Sequence, residues 1–271
     1  MTVLLHISDT HFGTEQAPVV AALQALVRDQ KPDGLILSGD ITQRARSAQF
    51  AAARAFVDSL GIAQVLTLPG NHDIPLYNIA ARLFQPYAGY TAAFGPDLEP
   101  ELDFGDVLVL GVNTTRPHRH KDGAVSARQV NRVVKRMHAA RREQLRVVVT
   151  HQPACVMRPE DEKDRLHGGE VAVQSWARAG ADLVLGGHIH LPYVSDLCAR
   201  AKGTPRALYC VQAGTAVSHR VRHGTPNSVN MIRWTAPTPH EKRVVRVERW
   251  DYDLADDRFE ESKGQELPLA E

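Results

Sequence analysis

Six short apolar runs punctuate the first two thirds of the chain: VLLHIS (3–8), GLILSG (34–39), VLTLPG (65–70), VLVLGV (107–112), RVVVT (146–150) and DLVLGG (182–187). Each is too brief for a helix and is apolar on successive residues rather than alternate ones, the pattern of a strand buried on both faces. Helical periodicity lies between them. In 17–30, Val20, Leu23, Leu26 and Val27 share a face; in 47–60, Phe50, Ala53, Val57 and Leu60 do so, with Ser47 placed to cap the helix. Alternating strands and helices predict an α/β fold whose first half is largely parallel. After residue 205 the pieces ALYCVQAG (207–214), SVNMIRW (228–234) and RVVRVERWDY (243–252) follow one another without a helix, which predicts a second, mainly antiparallel sheet. A single domain is expected over 1–255, followed by an acidic, turn-rich tail at 256–271 whose last ten residues fray.

Composition excludes more than it identifies. The 271 residues are 43% hydrophobic and 23% charged with a formal net charge of +1, so neither disorder nor a global attraction to nucleic acid or membrane is indicated. No stretch has the apolar length of a membrane span, and MTVLLHISD reads as a strand rather than a secretory leader, so a cytoplasmic protein is expected. Cys155, Cys198 and Cys210 have no metal-type spacing and read as reduced thiols, with a Cys198–Cys210 bridge disfavoured. The helix near 126–142 turns Val130, Val133, Val134 and Met137 inward and carries Arg128, Arg132, Lys135, Arg136, Arg141 and Arg142 elsewhere; a solvated basic face is the expected reading ahead of nucleic-acid binding.

The chemistry sits where the strands end. Asp9 and His11 follow the first run, Asp40 the second, Asn71 and His72 the third, His151 the fifth, and His188 with His190 the sixth. Carboxyl ends of parallel strands converge on one crevice, so these residues can meet despite their separation in sequence. Two carboxylates, one amide and four imidazoles, with His72 left over, make a set of metal ligands. Oxygen and nitrogen donors without thiolate suit Mn²⁺, Fe or Zn²⁺. Seven ligands exceed the needs of one ion, so two ions sharing Asp40 are expected. Two divalent cations, offset by Asp9, Asp40 and one hydroxide, leave a site near about +1 that attracts an anionic diester. The other eight histidines (6, 118, 120, 138, 167, 219, 223 and 240) are read as structural.

The ordered blocks Asp9-x-His11, Gly39-Asp40, Gly70-Asn71-His72-Asp73, His151 and Gly187-His188-x-His190 resemble the calcineurin-like metallophosphoesterases, and HISDTHFG (6–13) resembles their bacterial class III cyclic-nucleotide phosphodiesterase branch. The resemblance implies a four-layer α/β/β/α sandwich of two mixed sheets flanked by helices. It also implies Asp9, His11, Asp40 and His190 around one ion, and Asp40, Asn71, His151 and His188 around the other. His72 is then free to act as proton donor or phosphate contact, and Asp73 as a supporting group or turn cap. Where the protein-phosphatase branch carries GDxxDRG, this chain reads Gly39-Asp40-Ile41-Thr42-Gln43-Arg44-Ala45. The second Asp is replaced by Gln43, whose amide oxygen is expected to orient His72. Arg44 matches the phosphate-contacting arginine of that motif, with a solvated arginine leading the helix as the equal alternative. The activity implied is dimetal hydrolysis of small phosphodiesters, 3′,5′-cyclic nucleotides such as cAMP first, with a hydroxide shared by the ions attacking phosphorus. The rivals are a broad phosphodiesterase or phosphatase acting on glycerophosphodiesters, nucleotide-sugar pyrophosphates or nucleic-acid ends, and a non-enzymatic binding scaffold; no ligand is missing to favour the latter. Segments 85–105, with Tyr87, Tyr90 and Phe94, and 157–169 are expected as loops at the site mouth, where the aromatics either stack a base or simply pack.

Overall fold

The computed structural model describes residues 1–200, 206–238 and 240–270. In chain order the first half forms β1 (Thr2–Ile7), α1 (Ala17–Gln30), β2 (Gly34–Leu37), α2 (Ser47–Ser59), β3 (Gln64–Thr67), α3 (Ile79–Phe84), α4 (Ala88–Phe94), β4 (Glu101–Asp103), β5 (Val107–Gly111) and α5 (Ala127–His138). The second half forms β6 (Leu145–Val149), α6 (Gly169–Arg178), β7 (Leu183–Gly186), β8 (Tyr193–Asp196), α7 (Leu197–Arg200), β9 (Tyr209–Gln212), β10 (Ser228–Trp234), β11 (Val244–Asp253) and β12 (Arg258–Pro268).

The strands build two six-stranded sheets, ordered β12-β11-β10-β1-β2-β3 and β4-β5-β6-β7-β9-β8. Strand alternation explains why the runs are apolar on both faces. Leu4, Ile36 and Leu66 point into a core shared with Val109, Val147, Val149 and Leu185 of the other sheet. Their neighbours Leu5, Ile7, Leu35 and Leu37 point outward against α1 and α2. On the far side, Leu108, Leu110, Val148 and Val184 pack under Val130, Val133 and Met137 of α5 and Trp176 of α6. The result is the four-layer α/β/β/α sandwich, with β1, β2 and β3 parallel in one sheet and β5, β6, β7 and β9 parallel in the other. No helix among the described residues is long and apolar enough to cross a membrane.

Four expectations need correction. The segment after residue 205 does not make a sheet of its own: β9 joins the second sheet in parallel, while β10 pairs antiparallel with β1 and so extends the first. Nor is 256–271 a tail. Arg258–Pro268 pairs along the whole of β11 and buries Phe259, Leu267 and, just beyond it, Leu269. Ser47 is the first residue of α2 rather than its cap; Gln49 Oε1 reaches back to the Arg44 and Arg46 amides instead (2.9 and 3.4 Å). Segment 85–105 contains α4 and β4, and Tyr90 is buried with its hydroxyl 2.8 Å from Thr67 Oγ1, so it packs rather than stacks. No disulfide is formed among the described residues, and Cys210 lies buried beside Cys155. On α5, Arg132 pairs with Glu99 and Arg136 with Glu101 and Asp103, which neutralises part of the basic face internally.

Removal of residues 256–271 tests the corrected role of β12. Three buried apolar side chains at about 1.5–3 kcal/mol each amount to much of an ordinary stability of about 5–15 kcal/mol. The truncated chain is expected to lose solubility or unfold at far lower urea, whereas a frayed tail would leave the urea midpoint unchanged.

Candidate metal centre

The carboxyl ends of the parallel strands leave the sheets in tight turns. Eight described residues other than glycine have positive φ, and five of them are candidate ligands: Asp9 (+53°), His11 (+43°), Asp40 (+48°), His188 (+74°) and His190 (+57°). Left-handed backbone at a non-glycine residue costs of order 1–3 kcal/mol and persists only where the surroundings enforce it. Here the turns lock one another: Asp9 and His11 donate their amides to the carbonyls of Gly39 and Asp40, both at 3.0 Å. Two glycines permit the close approach. A Cβ on Gly70 would lie 2.0 Å from the Asp40 amide nitrogen, and one on Gly187 would lie 1.9 Å from Ser8 Oγ.

The geometry gathers all seven candidate ligands. Donor atoms of Asp9, His11, Asp40 and His190 lie within 4.8 Å of one another, as do those of Asp40, His151 and His188, so Asp40 belongs to both clusters. Asn71 Oδ1 is 3.3 Å from His151 Nε2, which places the amide beside the second cluster. The ring orientations are held from behind. His151 Nδ1 donates to the Ser38 carbonyl (2.8 Å) and His190 Nδ1 to that of Arg220, turning each Nε2 inward. His11 Nε2 and His190 Nε2 then face each other at 3.2 Å, a distance at which two lone pairs repel unless a proton or cation lies between them. His11 Nδ1 and His188 Nδ1 are buried without a hydrogen-bond partner, and Asp9 Oδ1 faces His190 Nε2 at 3.2 Å. Such buried donors and acceptors, of oxygen and nitrogen type, fit two divalent cations.

The same proximity sets the protonation states. Burial opposes ionisation of Asp9, but His190 and then His151 outweigh it and hold the carboxyl below its usual range. Asp40 behaves likewise beneath His151, His72 and His11. Burial draws His151 downward, yet Asp40 more than offsets this and raises its pKa to about 9. His190 is also raised, Asp9 overcoming burial. For His11 and His188 burial prevails and lowers each to about 3. The metal-free site therefore holds a proton on His151 near neutrality and favours one on His190, and a cation can bind only when these rings are neutral. Metal loading should release protons at pH 7, and apparent affinity should tighten as pH rises toward about 9 and then level. Calorimetric titration with Mn²⁺ in two buffers of different ionisation enthalpy measures this; no proton release at pH 7 would contradict it.

Around the ligands, the other singled-out residues take specific places. Asp73 is buried and accepts from the amides of Ile41, Thr42 and Gly70 (3.0, 2.8 and 2.8 Å), tying the turn after β2 to the turn after β3. Burial and the neighbouring Asp40 raise its pKa to about 6 against those hydrogen bonds. His72 donates its amide to Asp40 Oδ1 (2.8 Å), and its Nδ1 lies 3.0 Å from the main-chain carbonyl of Gln43. Gln43 thus orients His72 through its backbone, not through its side chain as expected. Its amide oxygen accepts instead from Arg220 NH1 at 2.8 Å. Arg44 is exposed, 5.6 Å over the Tyr77 ring, at the rim of a small pocket that also reaches His72 and Asn71. The cleft above the clusters, about 300 Å³, is further lined by Lys121, Asp161, Asp164, Arg220 and Arg222. Asp161 and Asp164 come from the segment 157–169 expected at the mouth. The two arginines escaped the sequence reading. Their only signal was the basic cluster SHRVRHG (218–224) between two strands, which nothing local ties to the strand ends.

A family model described as calcineurin-like phosphoesterase matches residues 2–192, a span that contains every candidate ligand. The chain belongs to the calcineurin-like phosphoesterase family. A glycerophosphodiester phosphodiesterase, GpdQ of Enterobacter lignolyticus (strain SCF1), is 34% identical over 84 residues, which cover 26% of this chain and 29% of that relative. Among solved structures, the purple acid phosphatase PPD1 of yellow lupin superposes with a TM-score of 0.72 at 10% identity over 98% of this chain, though this chain spans only 53% of it. A dimetal phosphatase from Danio rerio superposes with a TM-score of 0.64 at 12% identity over 99% of both chains. At these identities the two structures speak for the fold. Family membership and the two donor clusters together mark this site as a candidate metal centre. If Asp40 is shared, Asp40→Ala should lose both ions, while His190→Ala should mainly weaken one; elemental analysis of the purified variants distinguishes the two, and retention of both ions by Asp40→Ala would refute the sharing.

Proposed function

We propose that this phosphoesterase is a phosphodiesterase acting on small soluble phosphodiesters. The observation that carries this reading is the pair of ligand clusters joined at Asp40 beneath a cleft of about 300 Å³ rimmed by cations. Mn²⁺, Fe or Zn²⁺ held there would supply Lewis-acid polarisation of the phosphoryl oxygens and activation of a water nucleophile. The chain's own groups do the rest. Asn71 and the imidazoles are neutral ligands, so the site keeps a net charge near about +1, matched to a singly charged diester. His72, held at Nδ1 by the Gln43 carbonyl, presents Nε2 to the cleft and passes a proton to the departing oxygen. Arg44, at the rim of the adjoining pocket, meets the leaving-group side of the substrate.

Glycerophosphodiesters stand ahead of cyclic nucleotides. Among the described residues the cleft lining contains no Phe, Tyr or Trp to stack a base, and the curated relative is named for glycerophosphodiesters. Cyclic nucleotides are the second reading, favoured by exposed Tyr77 in the neighbouring pocket beside Arg44. Long nucleic acid is disfavoured because it needs many cationic contacts along its backbone. The test is a substrate panel with Mn²⁺-loaded protein: bis(p-nitrophenyl) phosphate, p-nitrophenyl phosphate, glycerophosphoethanolamine, cAMP and an oligonucleotide. The diester is expected to exceed the monoester in kcat/KM by at least roughly tenfold, a barrier difference of about 1.4 kcal/mol, with chelators abolishing both. A faster monoester, or an oligonucleotide cleaved fastest with steep salt dependence, would overturn the reading.

A further inference from the structure

Three cations line the cleft, and their surroundings differ. Arg222 NH1 donates to both oxygens of Asp161 at 2.9 Å, and its NH2 is 3.5 Å from Glu160, so its charge is already neutralised. Lys121 is an exposed ammonium that acts on Asp164. Arg220 is half-buried and has no carboxylate within ion-pair distance among the described residues. Its NH1 donates to the neutral Gln43 amide oxygen at 2.8 Å and lies 3.4 Å from His72 Nε2. A guanidinium oriented by an amide keeps its full charge and leaves donors to bind an oxyanion.

The backbone of Arg220 is equally constrained. Its carbonyl accepts from His190 Nδ1 and from Thr215 Oγ1 (2.9 Å), and its amide donates to Ser218 Oγ (3.0 Å). The side chain is therefore launched from a point tied to a candidate metal ligand and steadied beside the proposed proton donor. Residue 220 lies outside the span 2–192 matched by the family model.

We propose that Arg220 binds the non-bridging phosphoryl oxygens of the substrate, and that Gln43 positions it without cancelling its charge. This inference rests on the phosphodiesterase reading above. Arg220 makes and breaks no covalent bond; it supplies a fixed positive charge where negative charge accumulates during phosphoryl transfer. A carboxylate at position 43 would form an ion pair with Arg220 and remove that charge from the substrate.

The experiment compares Arg220→Ala, Gln43→Glu and the double variant with the parent, all metal-loaded. Arg220→Ala is expected to keep both ions by elemental analysis, to lose roughly 10²–10³ in kcat on bis(p-nitrophenyl) phosphate, and to bind inorganic phosphate at least about tenfold more weakly by calorimetry. Guanidinium ion added to the solution should restore part of the lost rate, which a merely structural role would not allow. Gln43→Glu should lose about as much as Arg220→Ala, since each takes the local charge from +1 to zero, whereas the double variant leaves an unpaired carboxylate facing the anionic substrate and should lose more than either. Arg220→Ala with phosphate affinity and rate within about threefold of the parent would overturn the proposal, as would loss of ions without guanidinium rescue. Should the loaded parent hydrolyse no phosphodiester, the functional reading falls, while the phosphate-affinity comparison still judges Arg220 on its own.

Discussion

Asp40 is a carboxylate buried between imidazoles of two clusters, and much of the surrounding structure serves to present it. A buried charge without partners costs several kcal/mol, so its environment must be built in advance. The His72 amide fixes one oxygen, the left-handed turn aims the side chain across the sheet, and Gly70 leaves the space it needs. Asp73 holds the two turns together through three main-chain amides. The strain in these turns and the proximity of like donors are tolerable because cations can satisfy the whole set at once.

Both clusters bridge the two sheets. Asp9, His11 and Asp40 follow strands of the first sheet, whereas His151, His188 and His190 follow strands of the second. Each cluster draws from both, so the shared core of Leu4, Ile36, Leu66, Val147 and Leu185 sets the distance between its halves. Metal binding and sheet packing are thereby coupled: whatever binds the native clusters and not the unfolded chain stabilises the sandwich. The cleft opens at the same end because parallel strands deliver their carboxyl ends together.

The residues beyond 192 complete what the family scaffold begins. β10, β11 and β12 extend the first sheet, and the connection from β9 to β10 crosses from one sheet to the other at the cleft. That crossing brings Arg220 and Arg222 over the clusters. Two neighbouring arginines thus meet different fates, one neutralised by Asp161 and the other left charged beside Gln43, through partners supplied by distant segments.

The sequence alone determined the α/β class and the candidate ligand set, because both are written in local patterns. Runs apolar on successive residues demand strands covered on both faces, and polar groups placed just after such runs must emerge at strand ends. Other features were decided only by tertiary structure. The acidic charge of 256–271 concealed a strand, because an edge strand exposes much of its surface and needs only Phe259, Leu267 and Leu269 to anchor it. Tyr90 looked available at the site mouth, yet Thr67, 23 residues earlier, drew it into the core. Gln43 looked like the partner of His72, but its backbone took that role while its side chain turned to Arg220, 177 residues away. Local sequence carries burial periodicity and donor type; which polar side chain meets which depends on the crossing of separate chain segments, and that geometry exists only after the two sheets have packed.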